Sequence, residues 1–144
     1  MTTHITNTPS FSDLGVAPEL VATLDKGGIT EPFAIQKLAI ADALAGRDVC
    51  GKAKTGSGKT LAFGLPTLQG LPHAKPGRPT AICLVPTREL ATQVRDELEP
   101  LGAAVDRTVG AIYGGDPIEK QVAALERGLD LVVCTPGRAI DLID

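Results

Sequence analysis

A glycine-rich segment that ends in a lysine and a threonine carries the residue types best suited to chemistry in this chain. Its sequence is Ala53-Lys54-Thr55-Gly56-Ser57-Gly58-Lys59-Thr60, which fits the P-loop pattern except that alanine replaces the first glycine. In such loops backbone N–H groups surround phosphate oxygens, the lysine neutralises the β- and γ-phosphates, and the final hydroxyl coordinates Mg²⁺. We therefore predict that residues 53–60 bind a nucleoside triphosphate, with Lys59 and Thr60 as catalytic residues and Thr60 as the Mg²⁺ ligand.

The sequence on either side of this loop supports the same interpretation. Residues 48–51 form a short apolar segment that predicts a strand, and residues 58–68 have the pattern of a helix. A loop between a strand and a helix presents its N–H groups to phosphate at the positive end of the helix dipole. The alternative is a flexible Gly/Ser turn with a solvated lysine, and the order of the predicted elements argues against it.

Three later turns also have residues suited to phosphate. Arg88 and Arg138 lie near predicted helix starts, where a cation opposes the helix dipole unless an anion is bound. One nucleotide fills only the first loop, so the set predicts an extended polyanion across one edge of the sheet. The alternative is that these are ordinary strand-to-helix turns with solvated arginines. The three turns are Pro86-Thr87-Arg88, Gly114-Gly115 and Thr135-Pro136-Gly137-Arg138.

The elements that must position these turns alternate between strand and helix patterns, which predicts an α/β fold with a parallel sheet and flanking helices. In such a sheet, ligands gather at the carboxyl ends of the strands. Strands are expected at residues 48–51, 80–85, 107–113 and 129–134, with 80–85 buried on both faces. Helices are expected at residues 18–26 and 35–45, from the Thr87 cap to Pro100, from the Asp116 cap with Ile118, Val122 and Leu125 buried, and after Arg138.

Length and charge limit the classes of protein to which the chain can belong. A chain of 144 residues, 43% of them hydrophobic, can bury the core of one domain. We expect residues 1–10 to be a flexible lead and residues 11–144 to form that domain, without an obligate oligomer. The formal net charge is −3, so a nucleic acid would have to be held by local arginines and lysines rather than by a global basic field.

Targeting signals and cysteines indicate the compartment. The sequence lacks a signal peptide and an apolar run long enough to span a membrane, so we expect a cytoplasmic protein that has no membrane partner. Cys50, Cys83 and Cys134 lie in or beside apolar segments without the spacing of metal ligands. We interpret all three as reduced thiols in the core.

Four segments resemble motifs of one family, the DEAD-box RNA helicases, in both order and spacing. Gly114-Gly115 resembles the GG motif, and residues 135–138 resemble motif Ib. The segment Pro86-Thr87-Arg88-Glu89-Leu90-Ala91-Thr92-Gln93 resembles motif Ia, and Gly28-Ile29-Thr30-Glu31-Pro32-Phe33-Ala34-Ile35-Gln36 resembles the Q motif. The resemblance covers residues 11–144 and implies the P-loop part of a RecA-like domain, the first of two in that family.

This resemblance assigns roles to two residues outside the P-loop. It implies that Gln36 recognises the edge of adenine and that Phe11, seventeen positions before Gly28, stacks on the base. An amide suits the first role because it can donate to adenine and accept from it. The alternatives are an exposed amide on a helix face for Gln36 and a core aromatic for Phe11. The implied ligands are ATP with Mg²⁺ at residues 53–60 and RNA at the three later turns.

The Q-motif segment departs from the family pattern. The family usually has an aromatic residue where this chain has Ile29, and Thr-Pro where it has Phe33-Ala34. Loss of a threonine cap typically costs about 1 kcal/mol and can change how Gln36 is presented. These departures affect the expected recognition of adenine and leave the expected phosphate binding unchanged.

The favoured function is an RNA-stimulated ATPase that unwinds short duplexes or remodels RNA–protein complexes. The Asp-Glu-Ala-Asp motif, the Ser-Ala-Thr motif and the second RecA-like domain of the family do not occur in these residues. We therefore expect part of a longer helicase that is inactive by itself and has the second RecA-like domain as its partner. The alternatives are a non-catalytic module that binds RNA or another partner, a P-loop enzyme such as a small-molecule kinase, and a DNA helicase.

Overall fold

The computed structural model describes residues 8–54, 56 and 58–143. Residues 1–7 of the predicted lead, together with Thr55 and Ser57 of the P-loop, lie outside the described residues. The described elements are α1 (Pro18–Lys26), α2 (Ala34–Leu44), α3 (Lys59–Gln69), β1 (Ala81–Leu84), α4 (Arg88–Ala104), β2 (Val109–Ile112), α5 (Ile118–Glu126), β3 (Leu131–Cys134) and α6 (Pro136–Ile143).

The three strands form a parallel sheet in the order β1-β3-β2. Val133 of the central strand pairs with Cys83 of β1 and with Ala111 of β2. All four residues of β3 are buried, as an apolar strand covered on both faces should be. The carboxyl ends of the strands therefore lie at one edge, and the predicted α/β fold with a parallel sheet is confirmed.

Hydrophobic residues cover the two faces of the sheet unequally. The larger cluster joins one face to α1, α2, α3 and α4, and its most deeply buried residues include Leu20, Leu65 and Leu98. Complete burial of one such side chain contributes roughly 1.5–3 kcal/mol. The smaller cluster contains Ile112 and Val132 and is covered by residues of α5 and α6, such as Leu125.

The prediction that the first described strand is buried on both faces is wrong. Ile82 is 59% exposed and Leu84 is 61% exposed. Both side chains share a sheet face with Val132, but the helices on that face cover residues of β2 and β3. In the described part of the chain β1 pairs with β3 alone, so it is an edge strand with one covered face.

The prediction of a strand at residues 48–51 is also wrong. The structure gives these residues no regular secondary structure, and Val49 and Cys50 are exposed. A strand is stable only where a neighbouring strand pairs with its N–H and C=O groups, and residues 48–51 pair with none of the strands that the structure describes. As a consequence, Cys50 is not the core thiol that we expected, whereas Cys134 is buried and Cys83 is half-buried.

The last helix begins at Pro136 rather than after Arg138, and the end of α4 also differs from the prediction. Thr87 caps α4 as expected, accepting from Leu90 N over 3.2 Å, but the helix continues past Pro100 to Ala104. Pro100 is exposed. Because proline has no N–H, one backbone carbonyl of the preceding turn lacks its helical hydrogen bond, and both this carbonyl and the proline ring can face water.

The start and the buried face of α5 were also predicted incorrectly. Its N-cap is Pro117, which makes no side-chain capping hydrogen bond, rather than Asp116. The buried residue of α5 is Gln121, and Ile118 and Val122 are exposed. Of the three predicted residues, Leu125 is partly buried and packs against the smaller cluster.

Asp130 anchors the connection between α3 and β1 to the start of the sheet. Its carboxylate accepts from Ala74 N (2.6 Å), Thr108 N (2.8 Å) and Thr108 Oγ1 (3.1 Å). Burial alone would raise the pKa of Asp130, but these hydrogen bonds outweigh it and the net pKa is lowered. No helix in the described ranges is long and apolar enough to cross a membrane.

Candidate nucleotide-binding site

The P-loop lysine lies at the first position of a helix, as the sequence predicted. Lys59 begins α3, and its N-cap Gly58 has φ +83°, a left-handed conformation that favours glycine. The N–H groups of a first helical turn lack partners within the helix and form the positive end of its dipole. Lys59 and Thr60 therefore stand where a phosphate group would be bound.

A cavity of about 710 Å³ lies at this helix start, a volume typical of small-molecule sites. Residues from the Q-motif segment and the P-loop share it, so the structure brings these two predicted elements together. Lys54 does not line this cavity, and Ala53 lines a separate one. Among the described residues, the lining includes Gly28, Ile29, Thr30, Glu31, Phe33, Gln36, Gly56, Gly58, Lys59, Thr60, Leu61, Leu90, Gln93 and Glu97.

Gln36 links the Q-motif segment to the P-loop. Its Oε1 accepts from Phe33 N over 2.8 Å, and its Nε2 donates to Gly58 O over 3.1 Å. Gln36 is only 1% exposed, so the alternative of an exposed helix-face amide is wrong. A Cβ atom at Gly58 would collide with Gln36 Nε2, which gives this glycine a second reason to lack a side chain.

Phe11 lies outside the cavity. Its side chain is 2% exposed and belongs to the larger hydrophobic cluster with residues such as Val16 and Leu20. This buried position supports the core-aromatic alternative, and the stacking role of Phe11 stays a prediction.

The turns after β1 and β2 meet at the carboxyl edge of the sheet. Arg88 is exposed, and its Nε lies 3.4 Å from Glu89 Oε1. Gly115 has φ +93°, and a Cβ atom there would stand 3.0 Å from Arg88 Nη1. An open cavity of about 470 Å³ lies between the two turns, lined by Arg88, Glu89, Thr92, Tyr113, Gly115 and Asp116.

Arg138 differs from both sequence-based interpretations, phosphate contact and a solvated side chain. Its side chain is only 13% exposed, and its Nε lies 3.7 Å from Asp141 Oδ2. Nη1 donates to Asp116 O over 2.9 Å and to Gln121 Oε1 over 2.7 Å. Arg138 is thus held by protein acceptors through Nη1, and its contact with phosphate stays a prediction.

The rest of the predicted motif Ib segment remains near the edge of the sheet. Thr135 N donates to Ile112 O over 3.2 Å, which aligns the segment with the end of β2. Pro136 and Gly137 are exposed at the start of α6. The carboxyl edge therefore presents Pro86, Thr87, Arg88, Gly114, Gly115, Pro136 and Gly137, all exposed.

Comparison with known proteins supplies the family. The family model for DEAD/DEAH box helicases matches residues 33–144. The chain belongs to the DEAD/DEAH box helicase family. This finding confirms the family predicted from the four motif segments.

Relatives of this DEAD/DEAH box helicase chain are considerably longer. The DEAD-box ATP-dependent RNA helicase CshA of Streptococcus pneumoniae is 45% identical over 133 residues, which are 92% of this chain and 25% of CshA. The ATP-dependent RNA helicase RhlB of Salmonella newport is 42% identical over 145 residues, 96% of this chain and 34% of RhlB. The chain thus spans between a quarter and a third of these relatives.

A solved structure confirms the fold of this helicase chain. The crystal structure of the RNA-helicase Prp28 from Chaetomium thermophilum bound to ADP superposes with a TM-score of 0.83 at 41% identity. The match covers 91% of this chain and 33% of the Prp28 chain. The parallel sheet with flanking helices is therefore part of a RecA-like helicase domain.

One wall of the cavity at the start of α3 was not predicted from the sequence. Leu90, Gln93 and Glu97 of α4 line it. They are separated by three and four positions and so lie on one helix face, which was the available signal. This spacing does not distinguish a cavity wall from a core-facing helix side, since Leu90 is equally suited to the hydrophobic core.

Proposed function

We propose that this chain forms the ATP-binding part of a DEAD-box RNA helicase. In this proposal, ATP with Mg²⁺ binds in the cavity at the start of α3, and its binding and hydrolysis drive RNA duplex unwinding or RNA–protein remodelling by the longer protein. The observation that carries the proposal is the single cavity shared by Gln36, Lys59 and Thr60. The names of CshA and RhlB as ATP-dependent RNA helicases support it.

The residues at this site fit a triphosphate. Gly58 holds the chain in a conformation that lets backbone N–H groups face the cavity, and a side chain at this position would displace Gln36. Lys59 would neutralise charge on the β- and γ-phosphates, and the Thr60 hydroxyl would hold Mg²⁺. The bound Mg²⁺ supplies the charge neutralisation that phosphoryl transfer needs. The remaining P-loop residues, Ala53, Lys54, Thr55, Gly56 and Ser57, belong to the same proposed site.

RNA is the proposed partner at the carboxyl edge of the sheet. The net charge of −3 gives no general attraction for a polyanion, so binding depends on local groups. Arg88 is exposed at the open cavity between the two turns and can reach a phosphate. The glycines at 114 and 115 let a backbone approach closely, while Thr135, Pro136 and Gly137 continue the same edge.

Titration calorimetry with Mg²⁺-ATP tests the nucleotide proposal. Lys59→Ala should abolish measurable binding, because it removes the cation that faces the phosphates. Lys120→Ala is the matched control, since Lys120 is exposed on α5 and does not line the cavity. Circular dichroism should show that both variants keep the fold. Equal ATP affinity in the Lys59→Ala variant and the unmutated chain would refute the proposal.

Measurement of ATP turnover should distinguish ATP binding from ATP hydrolysis. The family resemblance places the Mg²⁺-holding carboxylates in an Asp-Glu-Ala-Asp motif, a sequence that the 144 residues do not contain. We expect residues 1–144 by themselves to bind ATP without RNA-stimulated hydrolysis or unwinding. A steady-state ATPase assay with and without RNA measures this, and robust RNA-dependent turnover that Lys59→Ala abolishes would contradict it.

A further inference from the structure

The connector between α3 and β1, residues 70–80, is held in one conformation by hydrogen bonds. Ala74 N donates to Asp130 Oδ1 over 2.6 Å, which ties the middle of the connector to the start of β3. Thr80 Oγ1 donates to Pro72 O over 2.7 Å and so closes the base of the loop. Connecting segments are usually more mobile than the elements that they join. In this connector, by contrast, the backbone from which the side chains project is fixed.

Two cations flank a tight turn at the tip of the connector. Arg78 N donates to Lys75 O over 2.9 Å, and the two residues form an isolated antiparallel bridge. Pro76 and Gly77 lie between them, and Gly77 has φ +71°, as in a type II turn. The ends of such a turn lie less than about 7 Å apart at their Cα atoms. Lys75 and Arg78, which are both exposed, are therefore neighbours.

The end of α5 adds a third cation beside this turn. Leu125 O accepts from Gly77 N over 2.9 Å and from Gly128 N over 3.0 Å. Because both donors reach the same oxygen, the two backbone segments meet at this point. Arg78 follows Gly77, and Arg127 precedes Gly128, so the two arginines leave the backbone close to each other. Arg127 is exposed as well.

These three exposed cations, Lys75, Arg78 and Arg127, form a surface that we call the connector patch. None of them forms an ion pair among the residues that the structure describes. Residues 70–80 contain no aspartate or glutamate, and the acidic neighbour of Arg127 in sequence is the exposed Glu126. Three positive charges against one negative charge leave the patch positive, in a chain whose net charge is −3.

The carboxyl end of α5 offers a purely structural explanation for these cations. The helix ends at Glu126, directly before Arg127, and the negative end of a helix dipole favours nearby positive charge. Such an effect would stabilise the fold and would leave RNA binding unchanged. The structural role and a binding role therefore predict different measurements.

The connector patch lies at the edge of the sheet opposite to Arg88. Asp130 holds the connector directly before β3 begins, whereas Arg88 follows β1 and begins α4. A strand rises about 3.3 Å per residue, so strands of four residues separate the two edges by about 13 Å. The patch and Arg88 are thus too far apart to contact the same phosphate, and the effects of substitutions at the two sites should add.

We propose that the connector patch is a second contact for RNA phosphates. The proposal rests on the proposed RNA function and adds a site away from the three turns at the carboxyl edge. Guanidinium and ammonium groups bind phosphate through charge-assisted hydrogen bonds. Residues 70–80 contain no phenylalanine, tyrosine or tryptophan on which a base could stack. The contact is therefore with the RNA backbone and does not distinguish sequences.

An acidic peptide would present carboxylates to the same three cations. RNA is the partner that the structure favours, because Arg88 already provides a phosphate contact on the same sheet in the proposed function. A longer RNA strand reaches both edges of the sheet without a second ligand.

Fluorescence anisotropy with a labelled oligouridine tests the connector patch. A strand of about 20 nucleotides is long enough to reach both edges of the sheet. Combined replacement Arg78→Ala and Arg127→Ala should reduce the slope of log affinity against log salt concentration by about 1.4 units, because each phosphate contact to a single strand contributes about 0.7. Adding Arg88→Ala should reduce the slope further by the same amount as Arg88→Ala alone.

The matched control is the combined replacement Lys26→Ala and Arg47→Ala. It removes the same charge at exposed positions that line neither the nucleotide cavity nor the cavity beside Arg88, and it should leave the slope unchanged. An unchanged slope in the Arg78 and Arg127 variant would overturn the proposal. An equal reduction in the control would also overturn it, since any exposed cation would then count.

Urea denaturation separates the binding role from the structural one. Arg78 and Arg127 make no side-chain hydrogen bond in the part of the chain that the structure describes, so the combined alanine variant should unfold at the same urea concentration as the unmutated chain. Lower stability with an unchanged salt slope would show a purely structural role. Arg78→Lys with Arg127→Lys keeps both charges and should keep the slope, and loss of the slope in this variant would contradict a contact made through charge.

Further outcomes distinguish the partner and the two RNA proposals. A labelled glutamate peptide whose binding is lost in the alanine variant, while RNA binding persists, would assign the patch to an acidic protein and overturn the RNA contact. If the proposed RNA function is wrong, neither Arg88→Ala nor the patch variant will change RNA binding. If only the connector patch is wrong, Arg88→Ala will still reduce the salt slope and the patch variant will not.

Discussion

Arg138 Nη1 donates to Gln121 Oε1 over 2.7 Å, and the two side chains together hold the turn that contains Gly114 and Gly115. Gln121 Nε2 donates to Tyr113 O over 2.8 Å, on one side of the turn. Arg138 Nη1 donates to Asp116 O over 2.9 Å, on the other side. The turn is thus fixed at both ends by side chains that follow it in sequence, which preserves its position beside Arg88.

The two arginines at this edge should therefore affect different properties. Arg138→Ala leaves the part-buried oxygens Gln121 Oε1 and Asp116 O without this donor, and such a loss typically costs about 1–3 kcal/mol in the free energy of unfolding. Arg88 is exposed, so Arg88→Ala should change the free energy of unfolding by less than about 0.5 kcal/mol. Urea denaturation of both variants measures this difference.

RNA binding should show the opposite order. Arg88→Ala should weaken the binding of single-stranded RNA about equally for all RNA sequences. It should also reduce the slope of log affinity against log salt concentration by about one unit. Fluorescence anisotropy with labelled RNA at several salt concentrations measures both effects. If Arg138→Ala reduced the salt slope and left stability unchanged, Arg138 would be a phosphate ligand, and its role in holding the turn at Gly114 and Gly115 would be refuted.

Gln36→Ala should reduce the preference for ATP over GTP. The amide retains one donor and one acceptor beyond its bonds to Phe33 and Gly58, enough to bind the edge of adenine. Removing it should lower ATP affinity toward that of GTP, while tripolyphosphate affinity stays largely unchanged. Competition between ATP and GTP in calorimetry measures the ratio. Absence of an ATP preference in the unmutated chain would show that Gln36 does not recognise adenine.

Asp130 should make the stability of the fold sensitive to acid. Hydrogen bonds from Ala74 and Thr108 lower its pKa below the ordinary value of 3.8 despite the opposing effect of burial. A carboxyl group whose pKa is lower in the folded state than in the unfolded state stabilises the fold at pH values above its unfolded-state pKa. This stabilisation is lost as the pH falls through its folded-state pKa. Asp130→Asn should therefore be less stable than the unmutated chain at pH 7, and the difference should shrink below about pH 4.

Urea denaturation at a series of pH values measures that difference in unfolding free energy. Asp25→Asn is the control, because Asp25 is an exposed carboxyl on α1. A difference for Asp130→Asn that stays constant down to pH 3 would contradict the proposed linkage.

The three cysteines should react at different rates with iodoacetamide. Cys50 is exposed, whereas burial raises the pKa of the Cys83 and Cys134 thiols and so reduces the reactive thiolate. Mass spectrometry of the native chain should show alkylation of Cys50 first, with the other two modified mainly after denaturation. Modification of Cys134 as fast as Cys50 would contradict the buried position of β3.

Local sequence signals predicted much of this helicase domain because their physical causes are local. The bounds of α1 follow from Pro18 at its start, Gly27 after its end and the apolar spacing between them. Thr87 caps α4 by accepting from a residue three positions later. The P-loop placed Lys59 at a helix start for the same reason. Family membership followed from short motifs whose order is a property of the sequence alone.

Tertiary structure decided every feature that depends on a distant neighbour. Residues 48–51 are apolar, yet they form no strand because no described strand pairs with them, and β1 has an exposed face because the helices on that side cover β2 and β3. The same cause separates the two aromatics: the core encloses Phe11, while contact with Gly58 holds Phe33 at the cavity. Composition and spacing carry no information about such contacts, since burial and hydrogen-bond partners depend on how the chain brings distant segments together.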